Sequence, residues 1–139
     1  MAEQSLAGFL NPKKIEYAKV VVSDRFCDDN GESIEWELRP ISGKEITEIQ
    51  GQCAVIKRVN GKTKTEFNNE KFQALLVSRS VVYPDPANAE LLSMYGVTAP
   101  EELFGQMLTG AEFLQLYTQV AHVNGLDKDI NELVQDAKN

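Results

Sequence analysis

The stretch SIEWELRPI, residues 33–41, alternates apolar and polar side chains, with Ile34, Trp36 and Leu38 at apolar positions. Successive side chains of a β-strand point to opposite faces, so this alternation predicts a strand with one buried face. On that face Trp36, the single tryptophan, is interpreted as a core anchor rather than a hot spot for a partner. Pro40 cannot donate to a β-ladder and is expected to close the strand or to mark a sheet edge.

A second β segment precedes this strand. Residues 15–26 are rich in β-branched and aromatic side chains, and Asn30-Gly31 lies between the two segments. Asn-Gly supplies the positive φ angles that a tight hairpin turn requires. The sequence therefore predicts an antiparallel β-hairpin over residues 15–41.

The remainder of the chain, residues 42–139, carries mainly helical signals. Apolar residues recur at helical spacing from Ile46 to Ile56, so the first helix is expected to end near Asn60-Gly61. Residues 62–67 are expected to form a short strand or a loop. Gly125 is placed to end a later helix in the left-handed conformation. Three pairs fit the S/T-x-x-E capping box of a helix start: Ser42 with Glu45, Thr98 with Glu101 and Thr109 with Glu112.

The sequence Tyr-Pro-Asp-Pro, residues 83–86, predicts a rigid corner between two helices. Pro84 disfavours the α conformation at Tyr83 and is expected to stop the preceding helix. Asp85 suits the N-cap of the next helix, and Pro86 suits its first position. The corner explains this stretch without a catalytic role for Asp85.

These patterns predict an α+β fold in which a short N-terminal antiparallel β-hairpin is followed by a mainly helical domain of four to five helices. A chain of 139 residues is expected to form a single domain over 1–139. In that prediction 15–41 is the hairpin part and 42–139 is the helical part.

Charge and hydropathy exclude two classes of partner. The net charge of −7 argues against binding to nucleic acid and against electrostatic docking on an anionic membrane. No apolar run approaches the ~20 residues that span a bilayer, and residues 1–14 lack the basic start of a secretory signal. Neither nucleic acid nor membrane is therefore an expected partner.

The sequence contains no recognisable catalytic, cofactor or metal motif. His122 is the single histidine, and a structural or surface role is favoured over a general base because no nucleophile lies near it. Cys27 and Cys53 share no C-x-x-C spacing, so two buried or half-buried reduced thiols are favoured over a disulfide. We predict that the protein is not an enzyme and binds no cofactor or metal.

Several motifs resemble a known family. The most specific are Val82-Tyr83-Pro84, Tyr95-Gly96-Val97 and the run NGLDKD at residues 124–129, together with the Trp-x-Leu-Arg-x-Ile-Ser that follows the hairpin turn. In these motifs, and over nearly the whole chain from about Leu6, the sequence resembles the XkdN-like tail assembly chaperones of contractile-tailed phages and phage-like elements.

The resemblance implies a non-enzymatic assembly factor in the cytoplasm of the bacterial host that is absent from the mature virion. Its implied partner is the tape measure protein, which it would hold soluble while tube subunits polymerise. The alternative is a structural tail or baseplate component that is retained in the particle. Self-association is left open by the sequence.

An apolar helix face near the C-terminus is the candidate partner-binding surface, formed by Leu126, Ile130, Leu133 and Val134. A helix at the end of the chain could swing out to meet the tape measure protein. The alternative is that it packs into the core, as most amphipathic helices do.

Residues 137–139, Ala-Lys-Asn, can be encoded by GCA-AAA-AAC, on which the Lys and Asn tRNAs could re-pair one base back. The resemblance implies the hypothesis that the gene frameshifts here and that this chain is its short product. A longer form would then contact the tail tube protein. The alternative is that these residues are only a polar helix end.

Overall fold

Residues 4–127, which the computed structural model describes, form six helices and five strands. The helices are α1 (Ala7–Leu10), α2 (Gly43–Cys53), α3 (Asn69–Ser80), α4 (Ala89–Met94), α5 (Pro100–Met107) and α6 (Gly110–Val123). The strands are β1 (Ala18–Val21), β2 (Glu35–Leu38), β3 (Ala54–Val59), β4 (Lys62–Phe67) and β5 (Val81–Tyr83).

The strand β2 lies at the centre of an antiparallel sheet with the order β1-β2-β5. Val20 of β1 is opposite Trp36, and Val81 of β5 is opposite Leu38. Trp36 and Leu38 are buried, while Glu35, the first residue of β2, is exposed. The predicted half-buried strand and the core position of Trp36 are confirmed.

The predicted fold class is wrong, because strands are not confined to an N-terminal hairpin. Three further strands lie after Cys53 and contribute to two separate sheets. One of them, β5, follows α3 directly and pairs with the free edge of β2. Val81-Val82-Tyr83 consists of β-branched and aromatic residues that favour extended backbone, and Pro84 restricts Tyr83 to the same region. The chain therefore leaves α3 as a strand and not as a helical corner.

The second sheet is a two-stranded ribbon that replaces the end of the predicted first helix. The helix α2 stops at Cys53, and β3 then pairs with β4 in antiparallel register. The turn is Asn60-Gly61, with φ angles of 52° and 76°, the signs that a type I′ hairpin turn requires. Ile56, which fits the helical spacing, lies in β3 and is exposed. Here β-branched residues around an Asn-Gly turn override the helical periodicity.

Helices α3, α5 and α6 supply the main core that covers Trp36. The ring of Trp36 lies 5.2 Å from that of Phe104 on α5 and 6.3 Å from that of Phe26. A smaller buried cluster of Ile49, Cys53 and Leu75 joins α2 to α3. The main cluster consists of Val22, Trp36, Leu38, Leu76, Val77, Val81, Leu103, Phe104, Met107, Leu108, Leu116 and Val120.

Two of the three predicted helix starts are present. At α6, Thr109 Oγ1 accepts the Glu112 N–H at 3.2 Å and Glu112 Oε1 accepts the Thr109 N–H at 2.8 Å, a complete capping box. At α2, Ser42 Oγ accepts the Glu45 N–H at 3.2 Å. The box at Thr98 is wrong: the N-cap of α5 is Ala99, with no side-chain cap, and Pro100 occupies the first turn as expected.

The predicted helix start at Asp85 is also wrong. The helix α4 begins three residues later, after Asn88, whose Oδ1 accepts the Leu91 N–H at 3.1 Å. Asp85 instead forms a local turn, in which its Oδ1 accepts the Ala87 N–H at 2.9 Å. Asp and Asn cap helices about equally well, and Asp85 is already satisfied by this local hydrogen bond. The Tyr83–Pro84 peptide is cis.

The end of α6 is a Schellman motif with Gly125 in the left-handed conformation, as predicted. Gly125 has φ 71°, its N–H donates to the His122 carbonyl at 3.0 Å, and the Leu126 N–H donates to the Ala121 carbonyl at 2.7 Å. Asn124 is the C-cap residue before this turn, at the end of the helix, where its side chain can form hydrogen bonds with other segments.

Asn124 links α6 to two other parts of the fold. Its Oδ1 accepts the Ile41 N–H at 2.8 Å, and its Nδ2 donates to Ser80 Oγ at 3.0 Å and to the Val120 carbonyl at 2.9 Å. Ser80 is fully buried at the end of α3, and its carbonyl accepts the Arg39 N–H at 2.8 Å. The ends of α3, α6 and β2 therefore meet at one side chain.

A second long-range contact fixes the connection between β1 and β2. Arg25 donates from Nε to Glu112 Oε2 at 2.9 Å and from a terminal nitrogen to Glu112 Oε1 at 2.6 Å, and it also reaches the Met107 carbonyl at 3.2 Å. Hydrogen bonds from Arg25, Ser23 and the Thr109 backbone hold the pKa of Glu112 well below its usual range.

We expect Asn124→Ala to lower the free energy of unfolding by about 1–3 kcal/mol, because Ile41 and Ser80 lose a hydrogen-bond partner in a partly or fully buried site. Urea unfolding measures the change. Ser80→Ala and the double variant complete a double-mutant cycle. Because the two side chains share a hydrogen bond, the loss of unfolding free energy in the double variant should be smaller than the sum of the two single losses. A loss below about 0.5 kcal/mol for Asn124→Ala, typical of surface changes, would contradict this account.

We expect Glu112→Gln to destabilise the protein most at neutral pH. The pKa of Glu112 is lower in the folded than in the unfolded state, so its carboxylate stabilises the fold above the unfolded pKa of about 4.3. That contribution is lost as the pH falls through the folded value. The difference in unfolding free energy between wild type and Glu112→Gln should therefore narrow towards about pH 3.

The control for this pH series is Glu90→Gln, which removes an exposed carboxylate from the first turn of α4. It matches the helix-dipole environment of Glu112 but has no arginine partner among the described residues. The role of Arg25 in stabilising the Glu112 carboxylate would be contradicted by either of two results. One is a loss of unfolding free energy in Glu112→Gln that stays constant across the pH range, and the other is a loss equal to that of Glu90→Gln.

Candidate partner-binding surface

No group of three or more His, Cys, Asp or Glu within residues 4–127 is placed to hold a metal ion. His122 is exposed on α6, and its Nδ1 lies 2.7 Å from Asp127 Oδ2. The predicted surface or structural position of this histidine is confirmed.

The two cysteines are free thiols in different environments. Cys53 is buried between α2 and α3, and burial raises the pKa of its thiol, which makes it less reactive. Cys27 is exposed, and its Sγ donates to the Asp24 carbonyl at 3.0 Å. The prediction that both thiols are buried or half-buried is wrong for Cys27.

No helix within residues 4–127 combines the length and the apolar character needed to cross a bilayer.

The N-terminal apolar segment, residues 6–17, contains the two most exposed large apolar side chains within residues 4–127, those of Phe9 and Leu10. The helix α1 within it has no buried residue. Phe9 and Leu10 are 82% and 80% exposed, Leu6 is 66% exposed and Ile15 is 64% exposed. Burying such a side chain fully releases about 1.5–3 kcal/mol, and contacts within residues 4–127 leave each of the four mostly exposed. Exposed apolar side chains of this kind make the segment the candidate interaction surface.

A groove of about 590 Å³ continues this apolar surface. It lies between the N-terminal apolar segment and the start of α2. The Arg39–Glu45 ion pair, 2.9 Å between nitrogen and oxygen, stands at the groove. Apolar pockets with a few polar groups at the edge suit the side chains of an amphipathic partner helix. The lining includes Pro12, Lys14, Ile15, Tyr17, Arg39, Pro40, Ile41 and Glu45.

The sequence-predicted partner surface is only partly within the described residues. Leu126 follows the Schellman turn and is 43% exposed. Ile130, Leu133 and Val134 lie outside the described residues. The structure therefore does not test whether these four residues share one face.

Periodicity does not identify the N-terminal apolar segment, because residues 6–10 are too short to show a helical period. The signal available is composition: Leu6, Phe9 and Leu10 are three large apolar residues among five, with no charged residue between them. Composition alone does not separate such a cluster from a buried core segment.

The chain matches proteins of phage origin over most of its length. Residues 6–138 match the family model of the phage XkdN-like tail assembly chaperone proteins. The XkdN protein of the phage-like element PBSX from Bacillus subtilis (strain 168) is 30% identical over 138 residues, which cover 96% of this chain and 93% of XkdN.

A second relative, YqbN, has a solved structure. The protein YqbN from Bacillus subtilis (strain 168) is 28% identical over 126 residues, which cover 89% of this chain and 85% of YqbN. A crystal structure of YqbN superimposes with a TM-score of 0.74 at 21% identity and covers 90% of this chain and 98% of that chain, which shows that the fold is shared. The resemblance seen in the sequence is thus confirmed, and the chain belongs to the XkdN-like family of phage tail assembly chaperones.

Proposed function

We propose that this chain keeps the tape measure protein soluble during tail assembly by covering apolar stripes on its helices. The observation that carries the proposal is the exposed N-terminal apolar segment in a member of a tail assembly chaperone family. The protein acts without catalysis in the cytoplasm of the bacterial host and is released before the virion is complete. Membership of a chaperone family supports a role without catalysis.

The size of the apolar segment suits binding that is weak and reversible. Full burial of Phe9 and Leu10 contributes about 1.5–3 kcal/mol for each side chain, and part of this is offset by the cost of association. A single copy therefore binds weakly. Many copies on one long partner can cover it, and each copy can leave when a tube subunit takes its place.

Charge supports the same role. The chain has a net charge of −7, so copies bound along one partner repel other loaded complexes and keep them in solution. The apolar contact surface contributes the attraction, and the remaining acidic surface opposes aggregation.

The C-terminal residues Leu126, Ile130, Leu133 and Val134 are proposed as a second contact with the tape measure protein. Leu126 is exposed just after the turn that ends α6, which supports this assignment for the first of the four. The other three rest on their helical spacing in the sequence.

We further propose that the gene makes a longer product through a frameshift at the codons of residues 137–139, and that this longer form contacts the tail tube protein. The nucleotide sequence tests this directly. A run of A-AAA-AAY is expected there, whereas an Ala codon ending in G or C, or AAG for Lys138, would exclude the frameshift.

We expect Phe9→Asp to reduce the amount of soluble tape measure protein when the two are produced together, because a carboxylate cannot be buried against an apolar stripe. Soluble and pelleted tape measure protein are quantified after cell lysis. Leu133→Asp tests the C-terminal contact in the same assay. Met94→Asp is the matched control, since Met94 is 74% exposed on α4, outside both surfaces.

Circular dichroism of each purified variant shows whether it is folded. If tape measure protein is equally soluble without this chain, the holdase proposal is wrong. If it needs the chain but neither Phe9→Asp nor Leu133→Asp reduces its solubility, the two surfaces are wrong. Mass spectrometry of purified particles distinguishes the chaperone from the alternative, a structural tail or baseplate component. The structural component would be found in the particles, and the chaperone would be absent.

A further inference from the structure

The ribbon, residues 54–67, lies outside the main sheet and carries a charge opposite to that of the whole chain. Its strands pair only with each other in the sheet topology. Its base is held by the Asn68 N–H, which donates to the Cys53 carbonyl at 2.8 Å, and by the ring of Phe67, 5.6 Å from that of Phe72. Strands of six residues extend about 20 Å from this base.

One face of the ribbon is rich in lysine. The register places Lys57 opposite Lys64, and Val59 opposite Lys62. Because residues two apart in a strand share a face, these side chains form one surface with Val55 and its partner Glu66. We call this surface, which carries three lysines and one glutamate, the lysine face. Its lysines and valines are exposed, with Val59 51% exposed.

One cross-strand pair on the lysine face, Lys57 with Lys64, destabilises the isolated ribbon. Like charges directly opposite each other destabilise an antiparallel pair, and Lys57 faces Lys64 in this way. Glu66 pairs with Lys57 at 2.8 Å, but no carboxylate of residues 4–127 forms an ion pair with Lys62 or Lys64. Carboxylates from outside the ribbon would relieve this repulsion.

The body of the same chain carries such carboxylates. The ribbon has four basic residues and one acidic residue, a charge of +3, which leaves −10 for the rest of the chain. Glu35 and Glu37 alternate with buried residues in β2 and so lie on the outer face of the main sheet. Their neighbours across the strands are Val21, Tyr83 and Lys19. Val21 and Tyr83 are 43% and 52% exposed, and Lys19 lies opposite Glu37, so two carboxylates outnumber one lysine on this face. We call this surface the carboxylate face.

We propose that the lysine face of one copy docks on the carboxylate face of a second copy. Lysines then pair with Glu35 and Glu37, and Val55 and Val59 cover Val21 and Tyr83. A second copy fits this role because its charge outside the ribbon is −10 and because the two faces have opposite excess charge: lysines outnumber Glu66 on one, and Glu35 and Glu37 outnumber Lys19 on the other. Pairing of ribbon with ribbon would set lysine against lysine, an arrangement that protects edge strands from association. Two such contacts around a two-fold axis close a dimer.

Neither face includes Phe9 or Leu10. Ile15 and Tyr17 of the N-terminal apolar segment line one pocket with Lys19 and Glu37, beside the carboxylate face. The association of two copies does not depend on the proposed holdase role. Failure of one proposal therefore leaves the other intact.

Charge reversal at the two faces tests the inference by sedimentation velocity over a series of protein concentrations. Wild type should associate as its concentration rises. Lys64→Glu and Glu35→Lys should each weaken self-association by about tenfold or more, because each places like charges in contact. An equimolar mixture of the two variants should associate again, since the reversed faces complement each other and the unchanged faces still match.

The variants also separate a lost interface from a damaged fold. Lys64→Glu places a carboxylate opposite Lys57, so the free energy of unfolding should stay the same or rise. Lys44→Glu makes the same charge change at an exposed position of α2, and its association should equal that of wild type. The proposal is overturned if wild type stays monomeric, if Lys44→Glu weakens association as much as Lys64→Glu, or if the mixture does not associate.

Discussion

The side chain of Asn124 makes the polar contact on which the assembly of the main sheet and the helices depends. It bonds to the buried Ser80 hydroxyl at the end of α3 and to the Ile41 backbone that follows β2. Ser80 also precedes β5 and accepts the Arg39 N–H, so this residue aligns β5 against β2. A buried polar group without a partner costs more than its hydrogen bond contributes, and this makes the correct meeting of the three segments strongly preferred.

Three signals that are local in sequence predicted the structure correctly, whereas the cap at Thr98 and the helix start at Asp85, which are equally local, did not. Each of the three depends only on residues a few positions apart: the alternation around Trp36, the capping box at Thr109 and the helix end at Gly125. In each case the physical cause, a buried strand face, a reciprocal hydrogen bond or a positive φ, is set by the same few residues that carry the signal.

Features that depend on competition or on distant partners were not predictable. The strand β5 forms because β2 has a free edge, which Val81-Val82-Tyr83 cannot reveal alone. At Ile56 a helical spacing competes with an Asn-Gly hairpin signal, and both are local. For the candidate site the limit is different: Leu6, Phe9 and Leu10 would look the same in sequence if they were buried. Only the fold shows that they are exposed and that neither buried cluster of residues 4–127 includes them.

The two surfaces without a partner lie outside both buried clusters and differ in chemistry. Residues 6–17 contribute mainly apolar side chains, whereas the ribbon contributes lysines on a β scaffold. Neither surface includes Asn124, Trp36 or the Arg25–Glu112 pair that hold the core together. Substitutions at sites that share no partners are usually additive, so binding at either surface can change while the stability of the core does not. For the proposed holdase role this separation is an advantage, because the contacts with a partner can stay weak while the fold stays stable.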